Sequence, residues 1–105
     1  MSNTAICLRI YVGEKDNHQH QPLYEALILK ARELNLKGAT VYRSPMGFGH
    51  SHVLHTAKIM PLSEDLPMIV EIIDSETAIK DYLSAIKPML PPQAGLMTQH
   101  NVTLI

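Results

Sequence analysis

The sequence predicts an α+β domain in which two helices lie on one face of a four-stranded antiparallel sheet. Near the amino terminus, apolar residues alternate with others, as in a strand that has one buried face. Two later segments repeat apolar residues at helical spacing. Runs rich in β-formers flank and separate them. The resulting order, β-α-β-β-α-β, is that of the ferredoxin-like sandwich.

The first strand is predicted at residues 5–12 and ends at Gly13. One face carries Ile6, Leu8, Ile10 and Val12, and the other carries Cys7, Arg9 and Tyr11. The polar segment 14–21 predicts an exposed loop. The first helix is predicted at residues 22–35, because its leading proline suits a first helical turn. Gly38 is expected to supply the left-handed residue that ends this helix.

The second strand is predicted at residues 39–46. Pairing should weaken at Pro45, since proline cannot donate to a strand ladder. A long loop follows and leads to a short extended return at residues 56–62. The third strand is then predicted at residues 66–73, which are almost continuously apolar.

The second helix is expected to begin after an N-cap at Asp74 or Ser75. Ile79, Tyr82, Leu83 and Ile86 form its apolar stripe. Pro88 should stop it. The last strand is predicted at residues 96–105, with a break near Asn101.

Length and composition restrict the function. The 105 residues predict a single domain, residues 1–105. A net charge of −1 and the lack of a basic run argue against binding of nucleic acid. The sequence has neither a bilayer-spanning apolar stretch nor a signal peptide pattern. A cytoplasmic protein without direct membrane insertion is therefore expected, and Cys7 is expected to be a buried small hydrophobe.

The sheet face away from the helices would carry Arg9 and Tyr11 among small and apolar neighbours. A half-apolar open face is a liability in a monomer and a natural surface for self-association. The sequence therefore predicts a closed homo-oligomer.

The stretch from residue 46 to 56 contains two of the five glycines, the only phenylalanine and three of the six histidines. Imidazoles of His50, His52 and His55 suit zinc, copper or nickel. Their spacing matches no zinc-finger or helical metal motif. A divalent-metal site at these histidines is one hypothesis, and a set of solvated loop residues is the alternative.

Gly47, Phe48 and Gly49 come directly after the second strand. Glycines leave the backbone N–H groups unobstructed, so such a turn can form a concave nest for phosphate oxygens. It can equally be a turn and nothing more. The sequence contains no Ser/His/Asp motif or nucleophile elbow, and an enzyme is not expected.

Several short motifs lie along the chain, at residues 8–14 (LRIYVGE), 22–25 (PLYE), 38–41 (GATV), Arg43, 46–49 (MGFG), 55–56 (HT) and 62–67 (LSEDLP). Together they resemble the DUF190 family of small bacterial and archaeal proteins, which is related in fold to the PII nitrogen-regulatory signal proteins. This resemblance runs from Leu8 to about Asp74 and fades over the last thirty residues.

PII proteins also leave their second strand through Gly-Phe-Gly, at the base of the mobile T-loop, and return through Leu-Pro, here Leu66 and Pro67. In them this base lines an adenine-nucleotide site between subunits of a trimer, and the loop docks on enzymes or membrane transporters. The resemblance thus implies a PII-like homotrimer that binds AMP, ADP or ATP and regulates a partner through residues 50–56. The implied nucleotide-site residues are Gly47, Phe48, Gly49 and His50.

The sequence departs from PII proteins at the charged groups that hold phosphate. His50 and Met68 stand where PII proteins have Arg and Lys, and residues 89–98 lack the PII phosphate loop. A charged contact is typically worth about 1.5–3 kcal/mol, so ATP binding in that mode should be weak. A less charged nucleotide, another ligand or none remain open. Arg9 and Arg43 are the basic residues expected to substitute.

A competing hypothesis from another class is a divalent-metal-binding trimer resembling the CutA proteins of similar fold. It depends on His50, His52 and His55. A structural trimer without any ligand is the third alternative.

Overall fold

The computed structural model describes residues 3–44, 46–47, 55–56, 66–91 and 96–105. Its elements in chain order are β1 (Thr4–Gly13), β2 (Asn17–His18), β3 (Gln21–Pro22), α1 (Leu23–Glu33), β4 (Gly38–Arg43), β5 (Met46–Gly47), β6 (His55–Thr56), β7 (Pro67–Asp74), α2 (Glu76–Ile86) and β8 (Met97–Thr103). Within these ranges, no helix combines the length and apolar content needed to cross a bilayer.

Four strands form one antiparallel sheet in the order β4-β7-β1-β8. β1 lies inside the sheet, between β7 and β8, and β7 also pairs with β4. Two short ribbons, β2–β3 and β5–β6, stand apart from it. The strand order confirms the predicted ferredoxin-like sandwich.

The hydrophobic core lies between one sheet face and the two helices. Its buried members are Leu8, Ile10, Val12, Leu23, Leu27, Ala31, Met68, Val70, Ile72, Ile79, Tyr82 and Ile86. Alternate residues of β1 and β7 thus face the helices, as the period-2 pattern predicted. The Tyr82 hydroxyl donates a 2.7 Å hydrogen bond to the Leu27 carbonyl oxygen and so joins α2 to α1. Burial raises the pKa of Tyr82, which keeps this donor protonated.

The end of α1 differs from the prediction. Asn35, with φ of 60°, is the left-handed residue, and the Leu36 N–H donates to the Ala31 carbonyl oxygen. Asparagine tolerates this conformation because its short polar side chain can bond locally. Gly38 instead begins β4 without a positive φ. The expectation for Gly38 was therefore wrong.

The start of α2 shows which of Asp74 and Ser75 is its N-cap. The Ser75 hydroxyl accepts from the Ala78 N–H at 3.2 Å, so Ser75 is the N-cap. The Asp74 carboxylate instead accepts from the N–H groups of Lys37 and Ser75. Pro88 lies in the 3₁₀ turn that follows α2.

The last strand, β8, passes through Asn101 without interruption, so the expected break near Asn101 was wrong.

The segment predicted as an exposed loop after β1 contains the β2–β3 hairpin. His18 lies opposite Gln21, and the two residues between them, Gln19 and His20, have φ of 49° and 68°. Two left-handed central residues are the pattern of a type I′ turn, which favours Asn-Gly. The sequence signal was absent because neither residue is glycine or asparagine.

Replacing Gln19 and His20 by Asn and Gly should raise the free energy of unfolding by about 1 kcal/mol, since a left-handed residue with a Cβ costs roughly that much. Urea denaturation followed by circular dichroism measures it. His20→Ala is the control, because it keeps a Cβ at φ of 68°. Equal stability of the Asn-Gly and alanine variants would contradict the assignment.

Candidate functional site

Three chain segments meet at one end of the sheet, where β1 and β4 finish and β7 begins. The Glu14 N–H donates to the Leu66 carbonyl oxygen at 2.9 Å, and the Ser44 N–H donates to the Pro67 carbonyl oxygen at 2.9 Å. These bonds fix the points at which the chain leaves β4 and re-enters at β7. We refer to this end, defined by residues 13–14, 43–44 and 66–67, as the loop end.

The β5–β6 ribbon belongs to the chain between β4 and β7. Met46 pairs with Thr56, and Gly47 pairs with His55. The structure therefore brings Gly47 and His55, which are eight positions apart, to neighbouring backbone positions. Phe48, Gly49, His50 and His52 lie outside the described residues, so their predicted roles stay predictions.

Arg43 is the basic residue at the loop end. Its Nη2 lies 2.7 Å from Glu14 Oε2, and their side chains are 53% and 22% exposed. Glu14 is the more enclosed partner, and its backbone is fixed by the bond to Leu66. The guanidinium remains half in solvent, with donors beyond the one that contacts Glu14.

Arg9 occupies a different part of the molecule. It lies in mid-strand on the sheet face away from the helices, where its Nε donates to Glu71 Oε2 at 2.8 Å. Arg9 and Thr40 align with Glu71 across the sheet, whereas Arg43 aligns with Met68, which faces the core. An odd separation along β4 places Thr40 and Arg43 on opposite faces. The structure does not bring the two arginines together within one chain.

Glu71 organises a small polar cluster on this open sheet face. Its Oε2 accepts from Arg9 and, at 3.5 Å, from the Tyr42 hydroxyl. The hydrogen bond with Glu71 raises the pKa of the Arg9 guanidinium. Burial, followed by the nearby Glu71 charge, raises the pKa of Tyr42. Arg9 and Tyr42 therefore keep their protons at neutral pH.

Cys7 lies on the same face, one alternate position from Arg9, and its side chain is buried. Burial and the Glu71 charge raise the pKa of the Cys7 thiol. A protonated, enclosed thiol is a poor nucleophile. This confirms Cys7 as a small buried hydrophobe.

The three histidines of the predicted metal site do not all lie within the described residues. Among the described residues, no three His, Cys, Asp or Glu side chains are grouped closely enough to hold a metal ion. His50 and His52 fall outside those residues, and His55 is described only through its pairing with Gly47. The metal-site hypothesis is left as a prediction.

The acidic partners of Arg9 and Arg43 were not identified from the sequence. Glu71 could have been found, because it interrupts an otherwise apolar strand and alternation places it on one face of that strand. Glu14 had no comparable signal. Its pairing with Arg43 depends on β1 and β4 ending at the same side of the sheet, which only the strand order specifies.

The chain is similar to known proteins over almost its whole length. The DUF190 family model, described as Uncharacterized ACR, matches residues 5–104, well beyond Asp74, where the resemblance was expected to fade. A UPF0166 protein of Aquifex aeolicus is 38% identical over 98 residues, covering 93% of this chain and 90% of that protein.

Solved structures show which fold the chain shares. CPII, a nitrogen regulatory PII-like protein of Thiomonas intermedia K12 bound to ADP, AMP and bicarbonate, superimposes with a TM-score of 0.70 at 16% identity, covering 96% of this chain and 88% of that one. The GlnK–ATP complex of B. subtilis gives 0.59 at 13% identity, covering 97% and 84%. The match along the chain and the shared architecture agree: this chain belongs to the DUF190 family and has a PII-like fold.

Proposed function

We propose that the protein is a PII-like regulator, not an enzyme, that binds an adenine nucleotide at the loop end of the sheet. The observation that carries the proposal is the half-exposed guanidinium of Arg43 at the loop end, shortly before Gly47 in the chain, where the backbone pairs with His55. Glycine backbone and a guanidinium are groups that bind phosphate. PII-like proteins of this fold have been solved with ADP and AMP or with ATP.

The proposed assembly is a homotrimer whose subunits meet through the open sheet face. That face carries Tyr42, which is 43% exposed, and the partly buried Ile73 beside the polar cluster of Glu71. Apolar surface of this kind is stabilised by burial against a second copy. The nucleotide would then lie in the cleft between neighbouring subunits.

Regulation would pass through the chain that follows Gly47. A nucleotide bound at the base of this loop would change its conformation and so change its affinity for a partner, such as a membrane transporter or an enzyme. The protein would act in the cytoplasm. The PII-like structures it resembles favour this function over a CutA-like metal-binding trimer.

Titration calorimetry with AMP, ADP, ATP and cyclic nucleotides tests the binding. At least one should bind, and Gly47→Pro, which removes a backbone donor, should weaken binding by about tenfold to a hundredfold, as expected for one charge-assisted hydrogen bond. Phe48→Ala should also weaken it, by removing an apolar surface at the expected site.

Gly38→Ala is the control, because Gly38 begins β4 at the opposite end of the sheet. A Cβ there would lie 3.5 Å from the Ile73 carbonyl oxygen, an ordinary contact. This variant should bind like the unmodified protein. Absence of heat with every nucleotide would reject the nucleotide function.

A further inference from the structure

The ion pair between Glu14 and Arg43 has a consequence for which nucleotide binds. At the loop end, the Arg43 guanidinium lies 2.7 Å from the Glu14 carboxylate. The carboxylate offsets its charge where the proposed phosphate site lies. A phosphate approaching Arg43 therefore meets a nearly neutral pair rather than an isolated cation.

The geometry makes Glu14 a fixed group and Arg43 the adjustable one. The Glu14 N–H is bonded to the Leu66 carbonyl oxygen, and its side chain is 22% exposed. Arg43 is 53% exposed and ends β4. The neighbouring Asp16 carboxylate accepts from the Gly13 N–H, so it is already engaged elsewhere.

We propose that Glu14 sets the charge selectivity of the nucleotide site: by holding Arg43 in a neutral pair, it removes the advantage that an unpaired cation would give ATP over ADP and AMP. This inference rests on the proposed nucleotide function. Glu14 would repel each added phosphate charge while Arg43 attracts it, so the two effects would largely cancel and affinity would depend little on the ligand's net charge. Glu14 is thus a positioning and specificity residue and does not itself bind phosphate.

Glu14→Gln tests it, because glutamine keeps the shape and removes the charge. Calorimetry at about 0.1 M salt should show ATP affinity rising about tenfold and AMP affinity rising about threefold or less, the graded effect of a unit charge a few ångströms from the phosphates. The ratio of ATP to AMP affinity is the decisive quantity. A residue with a purely structural role would not change that ratio.

Two further variants make the result specific. Glu33→Gln removes the same charge from the Lys30–Glu33 pair on α1 and should leave the ratio unchanged. Glu14→Asp restores the charge and should return the ratio towards that of the unmodified protein. Circular dichroism of each variant verifies folding.

The outcomes separate the two proposals. If the unmodified protein binds nucleotide and Glu14→Gln leaves the ATP-to-AMP ratio unchanged or lowers it, the role of Glu14 is wrong and the nucleotide function stands. If neither protein binds any nucleotide, the proposed function fails, and the role of Glu14 fails with it.

Discussion

Tyr82→Ala is expected to lower the free energy of unfolding by about 3–5 kcal/mol, the range for truncating a large buried aromatic side chain. Tyr82 is fully buried in the core between sheet and helices. Its hydroxyl also bonds to Leu27, which lies 55 residues away in α1. The substitution therefore leaves a cavity and removes a link between the two helices.

Urea unfolding at a fixed protein concentration measures the loss, since stability of an oligomer depends on concentration. Tyr82→Phe removes the hydroxyl alone and should cost about 1 kcal/mol. Leu29→Ala on α1 is the control, because Leu29 is 44% exposed; its cost should stay below about 1 kcal/mol. A Tyr82→Ala loss no larger than that of Leu29→Ala would contradict the described core.

Glu71→Lys is expected to convert the proposed trimer into monomers. The substitution would place a lysine beside Arg9, whose Nε now donates to Glu71 at 2.8 Å. Two adjacent cations buried between subunits repel strongly, and we expect the dissociation constant to rise by about a hundredfold or more. Light scattering across a dilution series measures the change in mass.

The monomer itself should remain folded, because Glu71 lies on the face opposite the hydrophobic core. Its circular dichroism spectrum would show this. Glu33→Lys makes the same change of charge on α1, near Lys30, and should leave the mass unchanged. A Glu71→Lys protein that stays trimeric would exclude the open sheet face as the interface, whereas a monomeric unmodified protein would refute the trimer.

The main elements could be predicted because each has a strong local cause. Alternation in β1 identified its core face, and the apolar spacing of α2 identified Ile79, Tyr82 and Ile86 as buried. The β2–β3 hairpin could not be predicted, because Gln19 and His20 are not the residue types that usually form a left-handed turn. Their conformation is imposed by the surrounding chain, which local propensity does not record.

For the candidate site, the sequence by itself determined that Gly47 follows the second strand and that His50 and Met68 stand where PII proteins have basic residues. Only the tertiary structure decided which carboxylates Arg9 and Arg43 contact. Arg9 meets Glu71 across 62 positions of sequence, and Arg43 meets Glu14 because β1 and β4 end together. Such contacts follow from strand order and register, which long-range packing selects after local patterns have formed the strands.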